Sequence, residues 1–426
     1  MIIKKANITN LRSYTQAPFE FKPGMNLLVG INGVGKTTVL DAIRISLSRV
    51  LPEITASRSP KQSFEMSDIK IGANNLQVSC DFEYLEKNFN LLIHKQKETS
   101  VENQPGKPRE QITETPDIET ITPELSSLFP DADKLRSQPL AIYFSTKRSL
   151  LVDQKPAASS SAGGQAAAFA ESLSPNREFN LRIIAQWFKV QQELGAEKTI
   201  ALRHLAVLTK AVEDFLPDFK NLHVIDIDGI PQLFIDKNGI PLNVRHQLSD
   251  GERGVLSMVL DIAKRLSQAN PDLEDPLKDG TAIILIDELD LHLHPKWQRT
   301  IVENLTRVFP NCQFIGTSHS PQIIPSLEPE RIQLIKDDEI IVPDRTLGMD
   351  SNWILNHLME ANDRPDDALK AIEIVTQLIN EAEFDKARKA MKDYSAKDGF
   401  DFPEWAVLEA RIARLEIIDK NDEAHS

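Results

Sequence analysis

Apolar and polar positions alternate along residues 1–9, a period of two that predicts a strand with one face on a core. The run MNLLVG, residues 25–30, predicts a second strand that leads into a glycine-rich loop. Beyond the loop the period lengthens, and Val39, Leu40, Ile43, Leu47 and Val50 recur at helical spacing. Residues 67–95 read as two or three antiparallel strands, and the polar residues 96–118 as a mobile loop. Residues 178–216 read as helical, with Leu181, Ile184, Ala185, Phe188 and Val190 on one side. Residues 222–247 predict a hairpin that turns within LFIDKNGIPL. TAIILIDE and QFIGTSH are short apolar runs ending in polar groups, the pattern of parallel strands buried on both faces. From residue 353 on, the chain reads as three or four amphipathic helices. The last sets Phe402, Trp405, Leu408, Ile412 and Leu415 on one face.

Composition narrows the class. The chain has 426 residues, enough for two or three domains, and is 41% hydrophobic and 26% charged, an ordinary soluble balance. A net charge of −14 offers no bulk attraction to nucleic acid, so such binding would need a local basic groove. Two cysteines far apart, Cys80 and Cys312, suit a reducing compartment and supply no zinc pattern. The segment MIIKKANITNLRSY has too short an apolar stretch for a secretory leader, and no run reaches the roughly 18 apolar residues of a membrane span, so a cytoplasmic chain without membrane partners is expected. The Ala/Ser/Gly-rich residues 151–177 read as a linker or exposed loop.

Four stretches carry chemistry. Gly30–Ile31–Asn32–Gly33–Val34–Gly35–Lys36–Thr37 fits G-x-x-x-x-G-K-[ST] in full, between a strand and a helix. A backbone with glycines at Gly33 and Gly35 can wrap phosphates with its N–H groups, beside Asn32, and the following helix adds its positive end. Lys36 can pair with the β- and γ-phosphates, Thr37 can ligate Mg²⁺, and Thr38 can touch the α-phosphate. Leu248–Ser249–Asp250–Gly251–Glu252 opens a helical run, where a hydroxyl and backbone N–H groups form an anion site or a plain helix cap. Asp287 and Glu288 end an apolar strand, where ligands sit in α/β sheets; Asp287 would hold the Mg²⁺ shell and Glu288 would polarise the attacking water. His319 follows the strand-like Phe314–Ile315 and can hydrogen-bond a γ-phosphate. His292 and His294 admit a zinc reading, and Asp337–Asp338–Glu339 a nuclease cluster, although three acids before EIIV read better as a turn.

In this order the four motifs resemble the ATP-binding-cassette (ABC) class of ATPases. Asn10–Leu11–Arg12–Ser13–Tyr14 is similar to the opening of its RecF and SMC branch, and Glu288 through Pro295 to the "DE…LHP" of OLD-type ATPases, which explains LHLHP without a metal. The resemblance covers about residues 1–50, 136–150 and 245–330. It implies an α/β fold: an ABC-type head over 1–345, with a P-loop mixed sheet, an antiparallel β subdomain and a helical subdomain, built from lobes 1–150 and 220–345. Residues 178–220 would be a helical insertion and 346–426 a helical, partner-docking region. It further implies a head-to-head dimer around two ATP molecules. Ser249, Gly251 and Glu252 of the signature would bind ATP in trans, Arg12 would reach the phosphates, His319 would be the switch histidine, and Asp290 would lie in the segment crossing the interface. LSDGE in place of LSGGQ fits the nucleic-acid-associated branch better than a transporter. The Q-loop glutamine is not evident; Gln138 and Tyr143 through Arg148 lie where it belongs.

No heptad run long enough for a coiled-coil arm separates the motifs, and the roughly hundred residues after 320 lack a Toprim-like acidic set. The overall plan, with SNWILNHLMEANDRP and the helices after it, resembles the ATPase subunit family (PtuA) of Septu-type and retron-associated anti-phage defence. That implies an ATPase, slow or gated, that controls a separate HNH nuclease subunit and meets nucleic acid directly or through that partner. The alternatives are a RecF-like repair clamp that binds DNA itself and, less closely, a transporter's ATPase subunit.

Overall fold

The computed structural model describes residues 1–102, 109–130, 137–149, 164–177, 180–195, 197–359, 361, 365–398 and 402–424, with the backbone alone for 98–102, 109–114, 148–149, 397–398 and 418–424. The chain opens with β1 (Ile2–Leu11), β2 (Tyr14–Glu20) and β3 (Met25–Val29). β1 lies between β2 and β4 (Asn75–Tyr84) in an antiparallel sheet that continues through β5 (Lys87–Glu102), which also pairs β6 (Arg109–Glu114) and β7 (Ile118–Thr122). The polar stretch expected as a mobile loop is therefore largely strand, apart from residues 103–108, which lie outside the described residues. A two-stranded extension is held by its ladder, Lys97 opposite Glu114 to Glu102 opposite Arg109, and so needs no apolar alternation to be seen in the sequence.

β3 enters a second, mostly parallel sheet, together with β8 (Leu140–Phe144) and four later strands. Before those come β9 (Phe219–Ile227), β10 (Ile230–Lys237) and β11 (Ile240–Asn243), a three-stranded meander rather than a single hairpin. Its turns are Asp228–Gly229 and Asn238–Gly239, all four with φ between 52° and 79°, as two-residue hairpin turns require. The parallel sheet then gains β12 (Ala282–Ile286), β13 (Cys312–Ser318), β14 (Ile332–Lys336) and β15 (Glu339–Ile341), in the order β15-β14-β3-β13-β12-β8, with only β15 antiparallel. Every residue of β3, β8, β12 and β13 is buried, as continuous apolar runs predict. Asp337 and Asp338, both with positive φ, form the turn before β15, the reading the sequence favours for those acids.

The phosphate-loop helix, Lys36–Ile54, lies between the two sheets and touches β1, β4 and β5 on one side and β8, β12 and β13 on the other. Val39, Leu40, Ile43, Leu47 and Val50 are fully buried, each worth about 1.5–3 kcal/mol on transfer from water. Polar side chains on its other faces are also covered: Arg49 pairs with Asp117 at 2.8 Å, and Ser46 accepts from the Cys80 thiol at 3.4 Å. Burial pushes both cysteine thiols, Cys80 and Cys312, up to about 12.

The helices Leu181–Leu194 and Thr199–Phe215 lie within residues 178–216, where the apolar period predicts helix. Of the supposed linker, residues 151–163 lie outside the described residues, and residues 164–177 are not an exposed loop. Phe169 and Leu173 are buried there because the segment packs on helix Asp250–Ala269 and on β8.

The chain divides into two compact units, Met1–Ile354 and Leu355–Ser426, later than the boundary expected at 345. In the second, helices Asp366–Asn380, Phe384–Asp398 and Pro403–Ala424 bury Val375, Ile379, Met391, Trp405 and Ile412, with Phe402, Leu408 and Leu415 packed against them. Arg388 donates to Glu409 at 2.7 Å and to both oxygens of Glu416 at 2.6 and 3.0 Å. No helix among the described residues is long and apolar enough to cross a membrane.

Candidate nucleotide site

Val29 ends β3, and the loop that follows depends on its glycines. Gly35, which caps the helix, has φ 101°, and a Cβ there would sit 2.8 Å from the Tyr14 ring, so a side chain would be both strained and crowded. Asn32 and Gly33 are exposed at the tip of the loop. Lys36 is buried at the helix start, with its ammonium donating to the carbonyls of Gly30 at 2.8 Å and Ile31 at 2.9 Å. Burial lowers its pKa below the ordinary lysine value, while Asp287, Glu288 and Asp290 pull the other way. The loop's amine thus lies within electrostatic reach of the carboxylates at the end of β12.

β12 delivers Asp287 to the C-terminal edge of the parallel sheet, directly beside the phosphate loop. The Thr37 hydroxyl lies 3.2 and 3.0 Å from the two Asp287 oxygens, and the Thr317 hydroxyl donates to Oδ1 at 2.7 Å. A hydroxyl and a carboxylate that already share a hydrogen bond are a donor set that fits Mg²⁺, which takes one or two protein oxygens and completes its shell with water and phosphate. Bound there, the ion would neutralise phosphate charge. Glu288 follows in the left-handed region at φ 50°, its N–H donating to Thr317 Oγ1 at 2.7 Å. A non-glycine residue in that conformation is strained.

β13, next to β12, brings His319. Asp290 ties the two strand ends together, accepting from Ser318 Oγ at 2.6 Å and from the His319 N–H at 3.3 Å. Burial and then Lys36 push the His319 imidazole below its ordinary value, against Asp290, Glu288 and Asp287. At neutral pH it is therefore a neutral ring with one N–H to give. Arg12, at φ 51°, lies beside the loop: its guanidinium pairs with Asp68 and Asp41, both at 2.9 Å, and donates to Thr38 Oγ1 at 3.4 Å.

The signature residues are engaged elsewhere. Ser249 caps helix Asp250–Ala269, accepting from the Glu252 N–H, while the Glu252 carboxylate takes the Ser249 N–H at 2.9 Å and its hydroxyl at 2.8 Å and also pairs with Lys237. The Glu252 side chain thus serves as half of a capping box, a role that the S-x-x-E spacing in LSDGE encodes and that the phosphate reading passes over. A Cβ at Gly251 would stand 2.5 Å from the His292 carbonyl, so glycine is what lets the helix start approach the turn after Glu288. His294 caps the short helix Pro295–Gln298 by accepting from the Lys296 N–H at 3.2 Å. The described residues contain no group of three or more His, Cys, Asp or Glu that could hold a metal.

Gln138 does not reach the site. It precedes β8 at the strand's far end, about 20 Å from Phe144 at ~3.3 Å per residue. There its backbone N–H donates to Asn270 at 2.8 Å and its Oε1 accepts from the Ala56 N–H at 2.9 Å. Tyr143 and Phe144, at the near end, are buried, and the Phe144 carbonyl accepts the Asp287 N–H at 2.8 Å. The Arg148 side chain lies outside the described residues. The sequence reading misses Arg177, which sits against both Tyr143 and Phe144; a lone arginine after an Ala/Ser-rich run carries no local signal.

"Retron Ec83 probable ATPase" of Escherichia coli is 28% identical over 82% of this chain and 73% of its own length. "Retron Vc95 probable ATPase" of Vibrio cholerae is 26% identical over 73% and 68%, and "Septu protein PtuA" of Bacillus thuringiensis 24% identical over 76% and 73%. The family described as "AAA domain, putative AbiEii toxin, Type IV TA system" matches residues 25–324, from the strand before the phosphate loop to just past His319. That span includes the phosphate loop, Asp287 and His319; the chain belongs to this AAA-domain family and is an ATPase.

Proposed function

We propose that the protein is the ATP-binding and ATP-hydrolysing regulatory subunit of a defence complex, which associates with a second copy when it binds ATP and controls a separate HNH-type nuclease. Lys36 and the loop N–H groups bind the β- and γ-phosphates, Thr37 and Asp287 hold Mg²⁺, Arg12 and Thr38 face the α-phosphate side, Glu288 polarises the attacking water and His319 donates to the γ-phosphate. The observation that carries the reading is the division of the motifs. Lys36, Thr37, Asp287 and Thr317 converge on one edge, whereas Ser249 and Gly251 have their contacts with Glu252 and His292. A helix start can bind an anion through its first-turn N–H groups once the Ser249–Glu252 capping box yields, and a second copy is the natural source of the phosphate it would meet. The retron and Septu relatives support the defence context.

The test is sedimentation of Glu288→Gln with ATP and Mg²⁺. Removing the base should slow hydrolysis by about 10²–10⁴-fold and hold an ATP-bound dimer, with monomer in the absence of nucleotide. A variant that binds ATP and stays monomeric at saturation contradicts the dimer. Purification from native cells with ATP should bring down a nuclease subunit with an HNH-like pattern. Tight duplex-DNA binding by the isolated chain at physiological salt, with a steep salt slope, would instead favour a DNA clamp.

A further inference from the structure

Residues 164–177 bridge the end of β8 and helix Asp250–Ala269, and both attachments are polar and buried. Toward β8, the Tyr143 N–H donates to the Ser172 carbonyl at 2.8 Å, and Arg177 Nη2 donates to the Tyr143 carbonyl at 3.2 Å. The Arg177 guanidinium carbon also stands 5.0 Å from the centre of the Phe144 ring. Toward the helix, Arg177 Nη1 pairs with Asp261 Oδ2 at 2.6 Å; Arg265 shares that oxygen at 2.9 Å and donates to the carbonyls of Ala168 and Ala170 at 2.5 and 3.0 Å. Burial alone would raise the Asp261 carboxyl; Arg177 and then Arg265 overcome it and hold the group at about 2.

Arg177 occupies a junction. On one side is Phe144, whose carbonyl accepts the Asp287 N–H; on the other is the helix whose first turn carries Ser249 and Gly251. A planar guanidinium can hold a carboxylate and a carbonyl at fixed angles at once, which a lysine ammonium on a flexible stem does less well. Two arginines on one buried carboxylate are also costly unless the geometry is kept, so the junction resists sliding of the helix against the strand. The Q-loop role, for which Gln138 is misplaced, thus has a physical candidate outside the expected segment.

We propose that Arg177 is a positioning residue for hydrolysis, which through Asp261 couples the helix bearing Ser249 to the strand ends that hold Asp287 and Glu288. This rests on the nucleotide site proposed above. Arg177→Met should lower kcat by 10- to 100-fold while the Kd for a fluorescent ATP analogue stays within about twofold. Arg177→Lys should recover part of kcat, and the thermal midpoint of the lysine variant should stay near that of the parent. Unchanged kcat in folded Arg177→Met, or losses that follow a lowered midpoint with Kd weakened in parallel, overturns the coupling. If the methionine variant does not fold, the lysine variant decides: reduced kcat at unchanged Kd supports the coupling, and parental kcat overturns it. A failure of Glu288→Gln to dimerise is read in protein with Arg177 intact and is therefore a separate result.

Discussion

The Lys36 ammonium is held by the Gly30 and Ile31 carbonyls; in the proposed site, phosphate binding would exchange these neutral acceptors for an anionic one. Bonds to charged groups contribute about 1.5–3 kcal/mol each. Lys36→Ala should therefore abolish ATP binding at micromolar nucleotide, and calorimetry that finds the parental affinity would remove the site assignment. Most of this site is legible in the sequence because a phosphate loop and a strand ending in Asp-Glu are local patterns. The side chains that hold the site in place are not legible. Asp41 and Asp68 hold Arg12, and Thr317 ties Asp287 to Glu288, through contacts between residues 29 to 56 positions apart. No spacing in the sequence announces them.

Among the elements, helix Asp250–Ala269 links the cap, the capping box and the buried charges. At Ser249, Asp is as good a cap as Ser but places a carboxylate where the proposed trans phosphate would sit. Ser249→Asp still caps but loses the hydroxyl's donation to Glu252 and faces its carboxylate, so its thermal midpoint should fall by a few degrees, and the variant, assayed where it is folded, should lose ATP-driven association; a dimer that forms normally would reduce Ser249 to a cap. Further along, Lys264 lies 5.4 Å from the centre of the Trp187 ring, where burial, then Arg265, pushes its pKa from 10.5 down to about 8, with Asp261 opposing. Between those values the unfolded chain binds more protons than the folded one, so stability falls as pH drops through the window and the full cost is present below pH 8. Lys264→Met should raise stability at pH 7 by about 1–2 kcal/mol, allowing for partial exposure and the lost cation–π contact, and the gain should close by about pH 11. Unfolding curves at the two pH values measure it. The helix itself is plain in the sequence from its cap and period. The meander is only half so, because LFIDKNGIPL points to the Asn238 turn while Asp228–Gly229 is the same signal ten residues earlier. The strands within 96–118 have no apolar alternation to betray them.

For the whole molecule, the sequence separates a nucleotide-binding head from a helical tail, but the compact units meet at Ile354 rather than at residue 345, since helix Ser351–His357 begins in the first unit and ends in the second. Boundaries depend on packing between distant residues, which periodicity does not report. The segment 164–177 shows the same limit: an Ala/Ser/Gly-rich composition suggests solvent, yet it supplies Phe169 to the core and Arg177 to a buried ion pair.

The buried thiols have a practical consequence. Cys80 and Cys312 are 0% and 2% exposed, and a thiol that ionises only near pH 12 is almost wholly unreactive toward maleimide at neutral pH. The native protein should take up no label when folded and two equivalents in denaturant, which mass spectrometry counts directly. It is therefore a blank background for site-specific labelling. One cysteine added at an exposed position, such as Leu347, would carry a single dye or spin label and turn the meeting of two copies into a distance readable in solution.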